Sequence, residues 1–360
     1  MRSPNPRLKW TVLVAVLLLA AFALVTDVPT IAPAPVKHIG PPANAPLTLV
    51  TMGDSTISGE GAGDYTATTN GANGDWCHRS THAEVDQTSV PGVTRTINLA
   101  CSGADSPAIG LGRTTHYTEP SQAAQLAPIA AHDRIVAIVL AGGANDDPHF
   151  SQLVDTCIQA YFTRNVLGCS GGFTPQWQQR VNAMIPKVEH VLSDIRTVMT
   201  HAGYAPGSYQ LVLQSYAAPI GPDISQGLQS LAGCPFETVD LKWVRNTGIH
   251  VLDNGLATAA RTVGVRFLDL SGAGIGHEAC SGGPKATNEW FTRLTVAWQD
   301  LDNSQRAGHA LQSSFHPNAA GYAAFGSCLS AFLATTDPSA ACLPGPNGTL
   351  HPAPTVLSPH

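Results

Sequence analysis

Four short segments of this 360-residue chain carry residue types that, brought together, do acyl-transfer chemistry. Ser55 stands in Gly53-Asp54-Ser55-Thr56, Gly103 in Ala100-Cys101-Ser102-Gly103-Ala104, Asn145 in Gly142-Gly143-Ala144-Asn145-Asp146, and His316 in Ser313-Ser314-Phe315-His316-Pro317-Asn318. A serine hydroxyl becomes a nucleophile when an imidazole takes its proton, and the oxyanion that then forms on the attacked carbonyl needs several donors. Ser55 and His316 answer the first need. Gly103, whose missing side chain lets a backbone N–H approach an oxygen, and the Asn145 amide answer the second. Taken singly, each segment is also an ordinary turn or helix cap.

The first three segments directly follow apolar runs of strand character, at residues 47–52, 94–99 and 134–140; two more such runs cover 209–214 and 265–270. They are short and nearly continuous, as strands buried on both faces are. Helical periodicity lies between them. From 176 to 201, Val181, Met184, Ile185, Val188, Val191, Leu192, Ile195 and Val198 recur on one stripe, and Gly203 ends the run. Further helices are predicted at 241–263 and from Pro317, at the first turn, through 333. The alternation implies an α/β protein, a three-layer α/β/α sandwich around a parallel, doubly wound, flavodoxin-like sheet of about five strands. Chemistry in such sheets gathers at the carboxyl ends of the strands, where the three turns stand.

On these blocks the chain resembles the SGNH hydrolases, the GDSL esterases and lipases, over roughly 47–333. The blocks come in the family's order: Gly53-Asp54-Ser55, Gly103, Gly143-Ala144-Asn145-Asp146 and His316-Pro317. The resemblance implies Ser55 as nucleophile, His316 as general base, and an oxyanion hole of the Ser55 and Gly103 backbone N–H groups with the Asn145 side chain. Trp76-Cys77-His78-Arg79-Ser80 and Gly276-His277-Glu278-Ala279-Cys280 are similar to the secreted actinobacterial branch. One position departs from the pattern. Ser313 stands three residues before His316, where the family has Asp, so the expected unit is a Ser-His dyad whose imidazole is oriented by a main-chain carbonyl, with that of Ser313 as first candidate. The implied reaction is ester hydrolysis through an acyl-enzyme on Ser55, on an acyl lipid or an acetylated carbohydrate, with no metal and no organic cofactor. A catalytically weak glycan- or lipid-binding protein on the same fold, and an acyltransferase, are the alternatives.

Other residues have plainer readings. Asp54 and Asp146 are expected to hydrogen-bond loop backbone, because a free carboxylate beside a developing oxyanion opposes catalysis. The pair His78 and His82 is a chance spacing, His149 lies near the rim without a role, and Trp177, Trp243, Trp290 and Trp298 are core or groove walls.

With 43% hydrophobic residues the chain can bury a large core, and a formal net charge of -6 provides no positive field for nucleic acid. A monomer is expected. Arg2, Arg7 and Lys9 precede an apolar run from Trp10 to Val25, so residues 1–28 read as a signal peptide or an N-terminal membrane anchor. Residues 29–46 form a Pro/Ala-rich linker, 47–337 the hydrolase domain and 338–360 a loose Pro-rich tail anchored at Cys342. This implies a secreted or extracytoplasmic protein. The eight cysteines fit that compartment, and proximity pairs Cys77 with Cys101, Cys157 with Cys169, Cys234 with Cys280 and Cys328 with Cys342.

Overall fold

The five apolar runs become five parallel strands in a computed structural model that describes residues 40–355 apart from 226, 284–285, 302–305 and 307–308. They are β1 (Leu47–Gly53), β2 (Arg95–Asn98), β3 (Arg134–Ala141), β4 (Gln210–Gln214) and β5 (Arg266–Asp269). The expected leader at 1–28 and most of the linker lie outside the described residues. The strand order β2-β1-β3-β4-β5 reverses direction between β1 and β3. A reversal leaves a crevice at the carboxyl ends, because the chains leaving the two strands depart to opposite faces. In that crevice stand the Gly53-Asp54-Ser55 and Asn145 turns.

The sheet is longer than the sequence suggests. Residues 338–360 were expected to be a loose tail, yet β6 (Ser339–Pro344) pairs parallel with β5, and β7 (Leu350–Pro354) closes the edge antiparallel to β6. Prolines hide this pair from a sequence reading. An edge strand tolerates them, since Pro352 and Pro354 need no outward N–H partner. The turn between the two strands is the exposed Asn347-Gly348 segment.

Helices cover both faces. The long helix Ser170–His201 buries Val181, Met184, Val188, Val191, Leu192, Ile195 and Val198 of the stripe read from the sequence, leaves Ile185 half-buried, and begins six residues earlier than predicted. It packs on Ile249–Val263 and on Gln122–His132. The run predicted at 241–263 is helical from Thr238 but passes through a π-turn at Val244–Gly248, where the Trp177 indole donates to the Gly248 carbonyl at 2.9 Å. The last helix spans Ala319–Leu333. Pro317 is therefore not in its first turn: Asn318 is the cap, its Oδ1 accepting from the Gly321 N–H at 3.0 Å. Two of the longer helices among the described residues escaped prediction, Gln122–His132, which contains Pro128, and Phe150–Phe162.

All four predicted cysteine pairs are disulfides, Cys77–Cys101, Cys157–Cys169, Cys234–Cys280 and Cys328–Cys342. The last ties the final helix to β6. Among the described residues no helix is long and apolar enough to cross a membrane.

Candidate active site

The turn that carries Ser55 is built by packing around a glycine. Gly53 ends β1 at φ +136°, and any side chain there would collide with the Ala141 carbonyl of β3. Gln122 grips the same residue twice, accepting from its N–H and donating to its carbonyl, each at 2.7 Å. Asp54 then caps the short helix Ser55–Ser58, its Oδ1 accepting from the Thr56 N–H at 3.0 Å and its Oδ2 from the Tyr216 hydroxyl at 2.7 Å. Burial pushes its carboxyl up, against these hydrogen bonds and the His316 charge. Because Asp54 serves Thr56, the Ser55 N–H keeps the orphan status of a first-turn donor and, among the described residues, makes no hydrogen bond.

Ser55 and His316, 261 positions apart, meet with Oγ and Nε2 at 2.7 Å. The other ring nitrogen corrects the sequence reading. Nδ1 faces the carbonyl of Ser314 at 3.1 Å, not that of Ser313. The Ser313 carbonyl is occupied instead by the Thr292 hydroxyl at 2.5 Å and by the His316 backbone N–H at 3.4 Å. Phe315 explains the exchange. Its left-handed φ of +60° bends the chain so that the carbonyl two residues back swings onto the ring.

The loop carrying Gly103 is held from several sides. The Cys77–Cys101 disulfide and Arg79, which donates to the carbonyls of Leu99 and Ala100 at 3.1 and 2.9 Å, fix its entry. At its centre the Ser102 carbonyl faces His116 Nε2 at 2.9 Å, and its hydroxyl donates to Glu60 Oε2 at 2.5 Å. Glu60 has no solvent exposure and also meets His78 Nδ1 at 2.8 Å and the Tyr65 hydroxyl at 3.1 Å. Burial alone would raise the Glu60 carboxyl, but the hydrogen bond and charge of His78, the charge of His316 and the Ser102 hydroxyl together hold it below its ordinary range. Tyr322 joins this cluster to Ser55, its hydroxyl lying 3.0 Å from the Glu60 carbonyl and 3.1 Å from that of Ser55. Glu60 and Tyr322 were missed in the sequence. The available signal was a charged residue between two glycines, Gly59-Glu60-Gly61.

Gly103 adopts φ +78° and, among the described residues, its N–H donates to nothing. The Asn145 amide is anchored on the Ala104 carbonyl at 3.0 Å, which leaves its second N–H. Asp146 turns away to accept from the Ser106 N–H and hydroxyl at 3.2 and 2.7 Å. Asp54 and Asp146 thus serve backbone, as expected. Ser55, Gly103, Asn145 and His316 all line one cavity of about 400 Å³, with apolar walls from Phe150, Val154, Ile158 and Leu252.

Some expected spectators stand elsewhere. His78 and His82 bind different carboxylates, Glu60 and Asp64, so they are no ligand pair. His149 is exposed. Trp177 is buried and packs edge-on to Trp243, but Trp298 is 72% exposed and walls nothing. The two groups of three candidate metal ligands among the described residues, Cys157/Cys169/Asp240 and Asp75/Cys77/Glu119, draw on cysteines whose sulfurs are consumed in disulfides.

The sequence profile of the GDSL-like Lipase/Acylhydrolase family matches residues 51–324. Lipase 2 of Streptomyces coelicolor is 25% identical over 292 residues, covering 78% of this chain and 84% of that protein. Among solved structures, an extracellular lipase from Streptomyces rimosus is 22% identical over 77% of this chain and 94% of its own (TM-score 0.48). A phospholipase A1 from Streptomyces albidoflavus NA297 is 21% identical over 77% and 95% (TM-score 0.48). The profile match spans most of the chain, from the first strand to the last helix, and the chain therefore belongs to the GDSL-like lipase/acylhydrolase family of ester hydrolases.

Proposed function

We propose that the protein is an exported serine esterase or lipase that works through a Ser-His dyad and an acyl-enzyme on Ser55. The observation that carries this reading is the 2.7 Å approach of Ser55 Oγ to His316 Nε2 in the lining of a cavity with apolar walls. His316 Nδ1–H donates to the Ser314 carbonyl, which leaves Nε2 free to accept the Ser55 proton as the hydroxyl attacks the acyl carbonyl. The Ser55 and Gly103 N–H groups and the Asn145 amide receive the oxyanion. His316 then passes the proton to the departing alcohol. Water, deprotonated by the same imidazole, releases the acid and restores Ser55.

Four disulfides support an extracytoplasmic location. Residues 1–28 fit export and, if retained, a membrane tether. The chain acts as a monomer on an acyl ester. Ser55→Ala is expected to abolish turnover of a chromogenic ester and stoichiometric labelling by a serine-directed phosphonate. Full activity in that variant, or a label on another residue, overturns the reading.

A further inference from the structure

The cavity has two chemically different walls. One is formed by the helix Phe150–Phe162, where the apolar Phe150, Val154 and Ile158 line the cavity with Ser151 and Asp155 beside them. The other carries Tyr117, His309 and Gln312. An ester likewise has two ends, an acyl chain and an alcohol. We propose that Tyr117 and His309 form the leaving-alcohol subsite and that it selects esters of hydroxyl-bearing alcohols, glycerol or a sugar. This rests on the hydrolase reading above.

Tyr117 sits in the turn of a small hairpin, Thr115–His116 paired with Glu119–Pro120. The hairpin is clamped by Arg79, whose guanidinium holds the Glu119 carboxylate at 2.5 and 2.6 Å. Tyr117 is held at φ +50°, a costly conformation for a bulky side chain, which marks a position kept for a reason other than stability. The conformation sets its hydroxyl beside the oxyanion loop. A methyl group on Gly103 would stand 3.6 Å from it. Among the described residues this hydroxyl makes no hydrogen bond. Burial, with the Glu60 and Asp75 charges, pushes the phenol up to about 12, so it stays a donor across the working range of pH.

His309 offers the complementary acceptor. The Gln312 side chain donates through Nε2 to the Trp76 carbonyl at 3.1 Å, so its Oε1 is the atom turned to His309 Nδ1 at 2.6 Å. Oε1 only accepts, and Nδ1 therefore carries the ring proton. In the neutral ring Nε2 then keeps its lone pair, and among the described residues it has no partner. The ring itself is fixed by stacking on Trp76, centroids 4.0 Å apart, and stands edge-on to Tyr117 at 6.0 Å. A phenol donor and an imidazole acceptor together match an alcohol hydroxyl, which both accepts and donates. The position is also right for a leaving group. His309 and His316 share one wall-forming segment, 309–316, and the departing oxygen must take its proton from His316.

The test compares three esters of one acyl chain: the p-nitrophenyl ester, the monoacylglycerol and the glucose monoester. Tyr117→Phe removes only the hydroxyl. It is expected to lower kcat/KM about tenfold on the polyol esters, mainly through KM, and to leave the p-nitrophenyl ester within about twofold. His309→Phe keeps the ring over Trp76 and is expected to show the same split. A loss confined to the glycerol or to the glucose ester tells which alcohol is read. Equal losses on all three esters, or none on the polyol esters, overturn the subsite. Failure of the parent reading has a different signature: no wild-type turnover of the p-nitrophenyl ester, or full turnover by Ser55→Ala.

Discussion

Two glutamates of this protein, Glu60 and Glu84, have no solvent exposure, and their surroundings drive them to opposite ionisation. Behind the Gly103 loop, Glu60 receives a hydroxyl from Ser102, a hydroxyl from Tyr65 and an imidazole from His78, and it is held below the ordinary carboxylate range. Under the carboxyl end of β4, Glu84 receives one amide from Gln214 at 2.7 Å, and its Oε1 has no partner. Burial pushes that carboxyl from 4.5 up to about 7. The difference is one of partners. Desolvation opposes the charge in both places, and only a cluster that includes a basic side chain overcomes it. In the proposed mechanism a buried carboxylate kept charged near His316 also has an electrostatic use, because its field would favour the imidazolium form of that ring.

The largest expected effect comes from discharging the Glu60 cluster. Glu60→Gln keeps the shape and removes the charge. It is expected to lower kcat for a chromogenic ester by roughly 10- to 100-fold with little change in KM, through a less favoured imidazolium and a looser Gly103 loop. Glu60→Ala leaves the His78 ring buried without its partner, and a loss of roughly 3–5 kcal/mol of stability is expected in denaturant titration. Turnover within twofold of wild type in Glu60→Gln would confine the cluster to a structural role.

Glu84 sharpens the contrast in pH dependence. Its carboxyl is raised in the folded state, so between pH 4.5 and about 7 the folded chain binds more protons than the unfolded one. The stability this group contributes is full below pH 4.5 and falls as pH rises through that window, by about 3 kcal/mol. Glu60 has the reverse sign: its lowered carboxyl contributes stability above 4.5 that is lost as pH falls through the folded value. Glu84→Gln should abolish the Glu84 slope. Unfolding free energies at a series of pH values are expected to match wild type near pH 4 and to exceed it by about 3 kcal/mol near pH 8. A constant offset at every pH would mean that Glu84 does not titrate between the two states.

What could be read from the sequence was what is local. Ser55 and Asn145 each follow a continuous apolar strand, Gly103 follows the more polar and half-exposed edge strand β2, and the turn residues that expose all three are neighbours in the chain. The parallel order and the crevice followed from the alternation of elements. The hidden parts depend on distant partners. Glu60 meets His78 and Ser102, 18 and 42 positions away, across irregular segments without periodicity. Tyr117 enters the cavity only because a hairpin is clamped by an arginine 40 positions away from its glutamate. The two added strands carry prolines, which read as loop until an edge position gives them room. Ser314 was missed for a subtler reason, since its role depends on one backbone angle at Phe315 that no residue type announces.

That angle yields the smallest expected effect. A serine at position 313 invites the idea that its hydroxyl replaces the absent carboxylate, or that its carbonyl orients the imidazole. In the structure the carbonyl belongs to Thr292 and to the turn, and His316 is oriented by the backbone of Ser314. Removing the hydroxyl touches neither. Ser313→Ala, and equally Ser314→Ala, is expected to keep ester turnover within about twofold of wild type, because a side-chain truncation leaves both carbonyls and the ring tautomer in place. Thr292→Val is the sharper variant. It frees the Ser313 carbonyl and loosens the turn that sets Phe315, and it is expected to lower kcat by several-fold while KM holds. Steady-state kinetics on one ester rank the three. A Ser313→Ala enzyme slower than Thr292→Val would return the orienting role to the Ser313 hydroxyl and leave the Ser314 contact without function.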